Sequence, residues 1–207
     1  MSRFILCEHP LVQDKLAQLR DCNTPPERFR ALLEETSAVL GVCALQSLST
    51  HPVTVQTPLK AAPCRRLQTP VVLAAVLRAG LGMIPGIHRL VPQARIGHIG
   101  LYRNEETLNP VRYYVRLPDG LDRSFVLVLD PMLATGGSAS EAIRIVKTDG
   151  ASKIVLVSLL AARAGLRRIQ KEHPDVTVVA AAVDPVLNRH GYIVPGLGDA
   201  GDRLFGT

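Results

Sequence analysis

Three apolar runs, Val71-Val-Leu-Ala-Ala-Val-Leu77, Ile154-Val-Leu-Val157 and Val176-Thr-Val-Val-Ala-Ala-Ala-Val183, carry almost no polar interruption. A strand wetted on one face alternates apolar with polar residues, whereas a strand covered on both faces does not, so these runs read as buried strands of a parallel sheet. Phe125–Leu129 is a shorter run of the same kind. Helical stretches separate them from Val71 onward, which is the order expected of an α/β fold with helices on both sheet faces. The runs fall well short of the roughly 20 residues that a membrane helix needs. At 207 residues and 47% hydrophobic, the chain is long enough to bury a substantial core, and one domain spanning 1–207 is expected.

Two segments depart from that alternation. Residues 10–47 read as N-terminal helices, with Pro10 in a first turn, Leu11, Leu16 and Leu19 on an apolar face, and Thr24 as the N-cap of a second helix that continues through Arg28–Leu40. Residues 95–117 read as a β-hairpin arm, because Val111, Tyr113, Val115 and Leu117 alternate with Arg112, Tyr114 and Arg116. Its charged tip, 103–110, is long enough to act as a lid.

Other readings are set aside by pattern. The N-terminus meets Glu8 and Pro10 before a secretory core can form, so a cytoplasmic protein is expected. Cys7, Cys22, Cys43 and Cys64 form no C-x-x-C pair, and no H-E-x-x-H occurs, so side-chain metal chelation is not expected. The formal charge of +6 suits an anionic partner. Basic residues are dispersed and aromatics are only 4%, which argues against a nucleic-acid platform; no membrane partner is expected either.

Ligands of open parallel sheets bind beyond the carboxyl ends of the strands. Asp130 stands at such an end, followed by Pro131, Met132, Leu133 and Ala134, and then Thr135-Gly-Gly-Ser138 turns into a helix expected over Ala139–Thr148. Glycines admit an oxyanion to backbone N–H groups, the helix N-terminus adds a favourable dipole, and two hydroxyls add donors: a monophosphate cradle. It lacks the leading glycine and the lysine of a Walker loop. Arg78, after the strand Val71–Leu77, offers a guanidinium fork to a diphosphate. Arg103 at the arm tip can fold over a phosphorylated substrate. Gly196-Leu-Gly-Asp-Ala-Gly201 matches G-x-G-x-x-G, but Pro195 precedes it where a strand is required and no room follows for the partner helix. A glycine-rich loop there suits the edge of a flat heterocycle.

Four blocks together carry a family resemblance: Leu77-Arg-Ala-Gly-Leu-Gly-Met83, Tyr102-Arg-Asn-Glu-Glu-Thr-Leu108, Asp130–Ser138 and Gly191–Thr207. The chain closely resembles the bacterial uracil phosphoribosyltransferases, over nearly its whole length. The resemblance implies a type I phosphoribosyltransferase core in which phosphoribosyl passes from 5-phospho-α-D-ribose 1-diphosphate to uracil, giving uridine monophosphate and diphosphate. It implies that Arg78, Arg103, Asp199 and the run Asp130, Pro131, Met132, Leu133, Ala134, Thr135, Gly136, Gly137 and Ser138 bind the donor. Ile193, Gly198, Asp199 and Ala200, within a C-terminal loop over 191–207, would read uracil. Arg78, Asp130 and Asp199 would carry catalysis, with Asp199 the candidate to take the N1 proton. Mg²⁺ would be held by the donor's diphosphate and water, since Pro131 stands where many phosphoribosyltransferases place a second acid. A homodimer or higher homo-oligomer, with GTP as activator, also belongs to what the family suggests. Two stretches depart from its pattern, Ala161-Ala-Arg-Ala-Gly165 and Gly41-Val-Cys-Ala-Leu45. A rival expectation, a phosphoribosyltransferase-like regulator that binds RNA, would require a clustered basic face.

Overall fold

The computed structural model describes residues 3–103 and 110–207, with Arg103 described by its backbone alone. In chain order the elements are β1 (Phe4–Leu6), α1 (Pro10–Arg20), α2 (Pro26–Ala44), β2 (Thr50–Gln56), β3 (Ala61–Leu67), β4 (Val71–Leu77) and α3 (Ile84–Leu90). There follow β5 (Arg95–Arg103), β6 (Pro110–Arg116), β7 (Phe125–Leu129), β8 (Met132–Leu133), α4 (Gly137–Thr148), β9 (Lys153–Ala162) and α5 (Arg163–Glu172). The chain closes with β10 (Thr177–Asp184), β11 (Val186–Leu187), β12 (Ile193–Val194) and α6 (Ala200–Phe205).

The main sheet runs β1-β10-β9-β7-β4-β5-β6, with β8 also on β9. Every pairing is parallel except β5 with β6, the two strands of the expected arm. The apolar runs are central strands, as their lack of alternation predicts. Successive residues of one strand enter opposite cores: Phe125, Leu127 and Leu129 pack with α1–α3 on one face, while Val126 and Val128 pack with α4 and α5 on the other.

The N-terminal helices form over the expected span, with two local corrections. Leu11 is exposed and Val12 takes its place beside Leu16 and Leu19 in the core. Thr24 does not cap α2: its hydroxyl donates to Gln18 O at 2.6 Å, and Pro25 occupies the N-cap position with the next proline inside the first turn. Cys7 and Cys43, distant in sequence, come together with sulfur atoms 2.9 Å apart where β1 leads into α1 against α2.

The stretch 48–70 carries no clear sequence period and forms a separate antiparallel hairpin of β2 and β3. Its residues are mostly exposed on both faces, which is why no apolar alternation marks it. The arm's alternation is also interrupted. A register shift at Gly100–Leu101 leaves Tyr113 out of the one-to-one pairing, so Tyr113 and its neighbour Tyr114 are both exposed. The charged tip at 104–109 lies outside the described residues.

One contact fixes the distance between α5 and the loop before α4. A Cβ built on Gly165 would stand 2.7 Å from the carbonyl oxygens of both Leu133 and Ala134. Alanine raises helix propensity by at most about 1 kcal/mol, whereas forcing backbone apart costs about 1–3 kcal/mol, so the clash decides. Gly165→Ala is expected to lower the urea midpoint with an unchanged m-value; a midpoint equal to or above that of the parent chain would show that α5 can shift freely.

Candidate active site

The carboxyl ends of β4 and β7, the base of the arm, and the C-terminal loop enclose a cleft of about 1190 Å³. It is lined by Arg78, Asp130, the whole of Met132–Ser138, Ile193, and Gly198, Asp199 and Ala200. Elements more than one hundred residues apart in sequence thus meet in one place, and with them nearly every residue singled out from the sequence. Pro131 is the exception: it is buried beneath the cleft, where its carbonyl accepts from the backbone N–H of Leu159 at 3.0 Å and of Leu160 at 2.9 Å. Arg103 ends β5, but its side chain lies outside the described residues.

The cradle forms because the chain leaves β7, bends at Asp130–Pro131, and pairs again with β9 through Met132 and Leu133 opposite Leu160 and Ala161. Proline suits the bend, having no N–H to leave unpaired. The helix starts at Gly137, two residues earlier than the sequence suggests, after Gly136 at φ 79°, a left-handed conformation that favours glycine. The backbone N–H groups of the first turn are therefore presented to the cleft, as an anion requires.

Asp130 sits half-buried at the cleft floor. Burial pushes its carboxyl up to about 6, while the Met132 N–H, 3.3 Å from Oδ1, pulls the other way. Loss of hydration outweighs one long hydrogen bond.

Arg78 follows β4 through a cis peptide and projects into the cleft, about half exposed. Its Nη2 donates to Asp202 Oδ1 at 3.0 Å, and its guanidinium lies 5.7 Å from the centre of the Phe205 ring. Asp199 N-caps α6, Oδ1 accepting from the Asp202 N–H at 2.9 Å, so one of its oxygens is engaged and the other is left for chemistry.

The C-terminal loop is held from the far end of the chain. Arg20, closing α1, donates to both oxygens of Asp184 at 2.7 and 2.8 Å and to Gly196 O at 2.8 Å; Asp184 in turn accepts from the Gly196 N–H at 2.9 Å. Burial raises the Asp184 carboxyl, but the Arg20 hydrogen bond, the Gly196 N–H and the Arg20 charge together hold it below its ordinary value. Arg203 adds a second tie, donating to Leu197 O at 3.0 Å and to Leu19 O while stacking 4.5 Å from the Phe29 ring centre. Arg20 stands in no motif, and only folding brings it to the loop.

Other lining residues escape the sequence reading. Tyr102 and Tyr113 form a tilted pair, 6.3 Å between ring centres, at the base of the arm. Asn188 shapes the approach to Ile193, its Oδ1 accepting from the N–H groups of His190 and Tyr192 at 2.9 and 3.0 Å. The signal for Asn188 is its place after a strand and before glycine, a turn-former's position.

A family model described as uracil phosphoribosyltransferase matches residues 5–207. The chain belongs to the uracil phosphoribosyltransferase family. It is 53% identical over 206 residues to a protein of that name from Thermus thermophilus, with 99% of each chain covered, and 50% identical over 208 residues to one from Symbiobacterium thermophilum, with both chains fully covered. A solved protein of Aquifex aeolicus superposes with a TM-score of 0.94 at 38% identity, covering 99% of this chain and 98% of that one. A hypoxanthine-guanine phosphoribosyltransferase of Bacillus anthracis, 12% identical with a TM-score of 0.51 over 76% of this chain and 80% of its own, shares the fold.

The raised Asp130 carboxyl has a signed consequence. An acid whose folded pKa exceeds its unfolded value of 3.8 favours the folded state fully below about pH 4, and that contribution is lost as pH rises through about 6. Asp130→Asn keeps the acceptor for Met132 and removes the charge, so its stability relative to the parent chain should grow from pH 4 to pH 7, by at most about 3 kcal/mol. Urea unfolding of both chains at the two pH values measures this; a difference independent of pH would place Asp130 in a well-solvated setting.

Proposed function

We propose that this chain transfers the 5-phosphoribosyl group of 5-phospho-α-D-ribose 1-diphosphate to uracil, forming uridine monophosphate and diphosphate as a pyrimidine-salvage pentosyltransferase. What carries the reading is the convergence, in a full-length member of this family, of a phosphate cradle, a strand-end arginine and a glycine-rich loop on one cleft.

Each part has a physical role. Thr135–Ser138 receive the 5-phosphate at the start of α4, and Asp130 accepts from the ribose hydroxyls. Arg78, joined by Arg103 from the arm, meets the diphosphate. Uracil presents alternating donors and acceptors along its edge, which the backbone of Ile193 and Gly198–Ala200 can pair. In the reaction the bond from C1 of ribose to uracil N1 forms, the bond from C1 to the diphosphate oxygen breaks, and the N1 proton leaves. Negative charge builds on the departing diphosphate, so an arginine aimed there stabilises the transition state more than the ground state. Holding both reactants in line supplies a further share of the rate. Asp199 Oδ2 is the acceptor for the N1 proton, directly or through water.

Mg²⁺ belongs to this scheme as part of the donor, bound to its diphosphate. The donor set fits: among the described residues lining the cleft the carboxylates are Asp130, whose charged form burial disfavours, and Asp199, which caps α6. Assembly into a homo-oligomer is supported by the β2–β3 hairpin, since two strands alone are marginal in water and a second copy would stabilise them. Activation by GTP rests on the family resemblance, and a cytoplasmic location is consistent with a salvage enzyme; no helix of the described residues is long and apolar enough to cross a membrane.

Diphosphate release, assayed with uracil, cytosine, orotate or hypoxanthine in turn, tests the reading. Release with Mg²⁺ and uracil alone is expected, and its absence would overturn the assignment. Arg78→Ala should lower kcat by about 10²-fold or more, the scale of one lost transition-state contact. Unchanged kcat would remove Arg78 from the chemistry.

A further inference from the structure

Arg168 stands outside every motif described so far. It lies on α5, whose first turn packs under the cradle through Gly165. A Cβ built on Gly137 would lie 3.4 Å from Arg168 Nη1 and 3.7 Å from Thr135 Oγ1, so the guanidinium and the hydroxyl converge on the side of the helix start that glycine leaves open. The stem of Arg168 passes equally close, its Cβ 3.3 Å from a Cβ built on Gly136.

Electrostatics alone would not put a cation there. The first turn of α4 is the positive end of a helix, where a guanidinium is disfavoured and a carboxylate or phosphate is stabilised. Burial does not require it either, since the side chain is 40% exposed. A set of hydrogen bonds nevertheless holds it. Arg168 Nε donates to Glu172 Oε1 at 2.9 Å, which leaves both terminal nitrogens of the fork available to face the cradle. Glu172 Oε2 accepts from the Ser140 hydroxyl at 2.5 Å and has Arg144 Nη2 at 3.6 Å. Ser140 and His173 are both buried and their Oγ and Nε2 are 2.8 Å apart. One proton arrangement satisfies the set: His173 Nε2–H donates to Ser140, and Ser140 donates to Glu172. Since Ser140 is on α4 and Glu172 ends α5, the set ties the two helices together and holds Arg168 Nη1 beside the start of α4, next to the residues that line the cleft.

An anion at the start of α4 reverses the sign of the arrangement, because the guanidinium then faces a charge opposite to its own. We propose that Arg168 is a donor-binding residue, its guanidinium forming a cationic wall of the 5-phosphate cradle, with Glu172 and Ser140 as positioning residues that hold it there. The inference rests on the reading of Thr135–Ser138 as the 5-phosphate site. It adds a contact supplied by the helix that follows β9, outside the loop itself.

Two measurements test it: calorimetric binding of ribose 5-phosphate, and steady-state kinetics with donor and uracil varied separately. Arg168→Gln should weaken ribose 5-phosphate binding and raise the donor KM on the order of tenfold, the scale of one charge-assisted contact, leaving the uracil KM and Tm unchanged. Arg168→Lys should recover part of the loss, and Glu172→Gln should give a smaller donor-specific loss. Arg167→Gln, which removes the same charge from an exposed neighbour, is the control for general electrostatics and should change neither constant. Equal binding by Arg168→Gln and Arg167→Gln would overturn the proposal, as would a rise in both KM values together with a lower Tm, the mark of a purely structural residue. Thr135→Val separates the underlying reading. If it weakens ribose 5-phosphate binding and Arg168→Gln does not, Arg168 alone is misassigned; if both are silent, the cradle is not the 5-phosphate site.

Discussion

β9 outruns its neighbour, and the site depends on that mismatch. β7 ends at Leu129 after five residues, whereas β9 continues from Lys153 to Ala162, ten residues in all. The overhang gives the departing chain something to pair with: Pro131 O takes two N–H groups from it, and Met132 and Leu133 rejoin the ladder opposite Leu160 and Ala161. Backbone groups that would otherwise be buried without partners are thereby satisfied, and the bend at Asp130 becomes a fixed shape. The same strand then delivers Gly165 beneath the cradle and Arg168 beside it. Floor, cradle and flank of the cleft are thus set by one strand that contributes no residue to the lining.

The other half of the cleft is positioned differently, by one ion pair and by arginine hydrogen bonds to backbone carbonyls. Arg20 and Asp184 share Gly196 between them, and Arg203 ties Leu19 to Leu197. With Asp184 almost fully buried, breaking its pair leaves an uncompensated charge in a poorly solvated place, a far larger penalty than an exposed ion pair would carry. The cleft therefore combines a cradle built on the rigid sheet with a loop braced by α1, whose packing on the core fixes where that loop stands.

Much of this was legible in the sequence. Uninterrupted apolar runs report strands covered on both faces, because burial on both faces removes the reason to alternate. The Thr135–Ser138 turn and the glycine-rich end are local devices, where residue type and backbone conformation are tied within a few positions, and both line the cleft. Thr24 and Leu11 were misread because helix starts and faces were judged from local preference, while packing of α1 against α2 turned Val12 inward and gave the Thr24 hydroxyl a carbonyl in the preceding helix. The β2–β3 hairpin left no signal because its residues are mostly exposed on both faces among the described residues.

The sequence by itself determined the α/β class, the alternation of buried strands with helices from Val71 onward, the Thr135–Ser138 turn and the glycine loop, since each follows from a period or a short steric rule. Only the tertiary structure decided which distant side chains meet them: Arg20 and Asp184 at Gly196, Asp202 on Arg78, Tyr102 beside Tyr113, and Arg168 over the start of α4. Those meetings depend on the rotation and register of packed elements. No residue type encodes them, because an arginine in an amphipathic helix looks the same whether it faces solvent or a cleft.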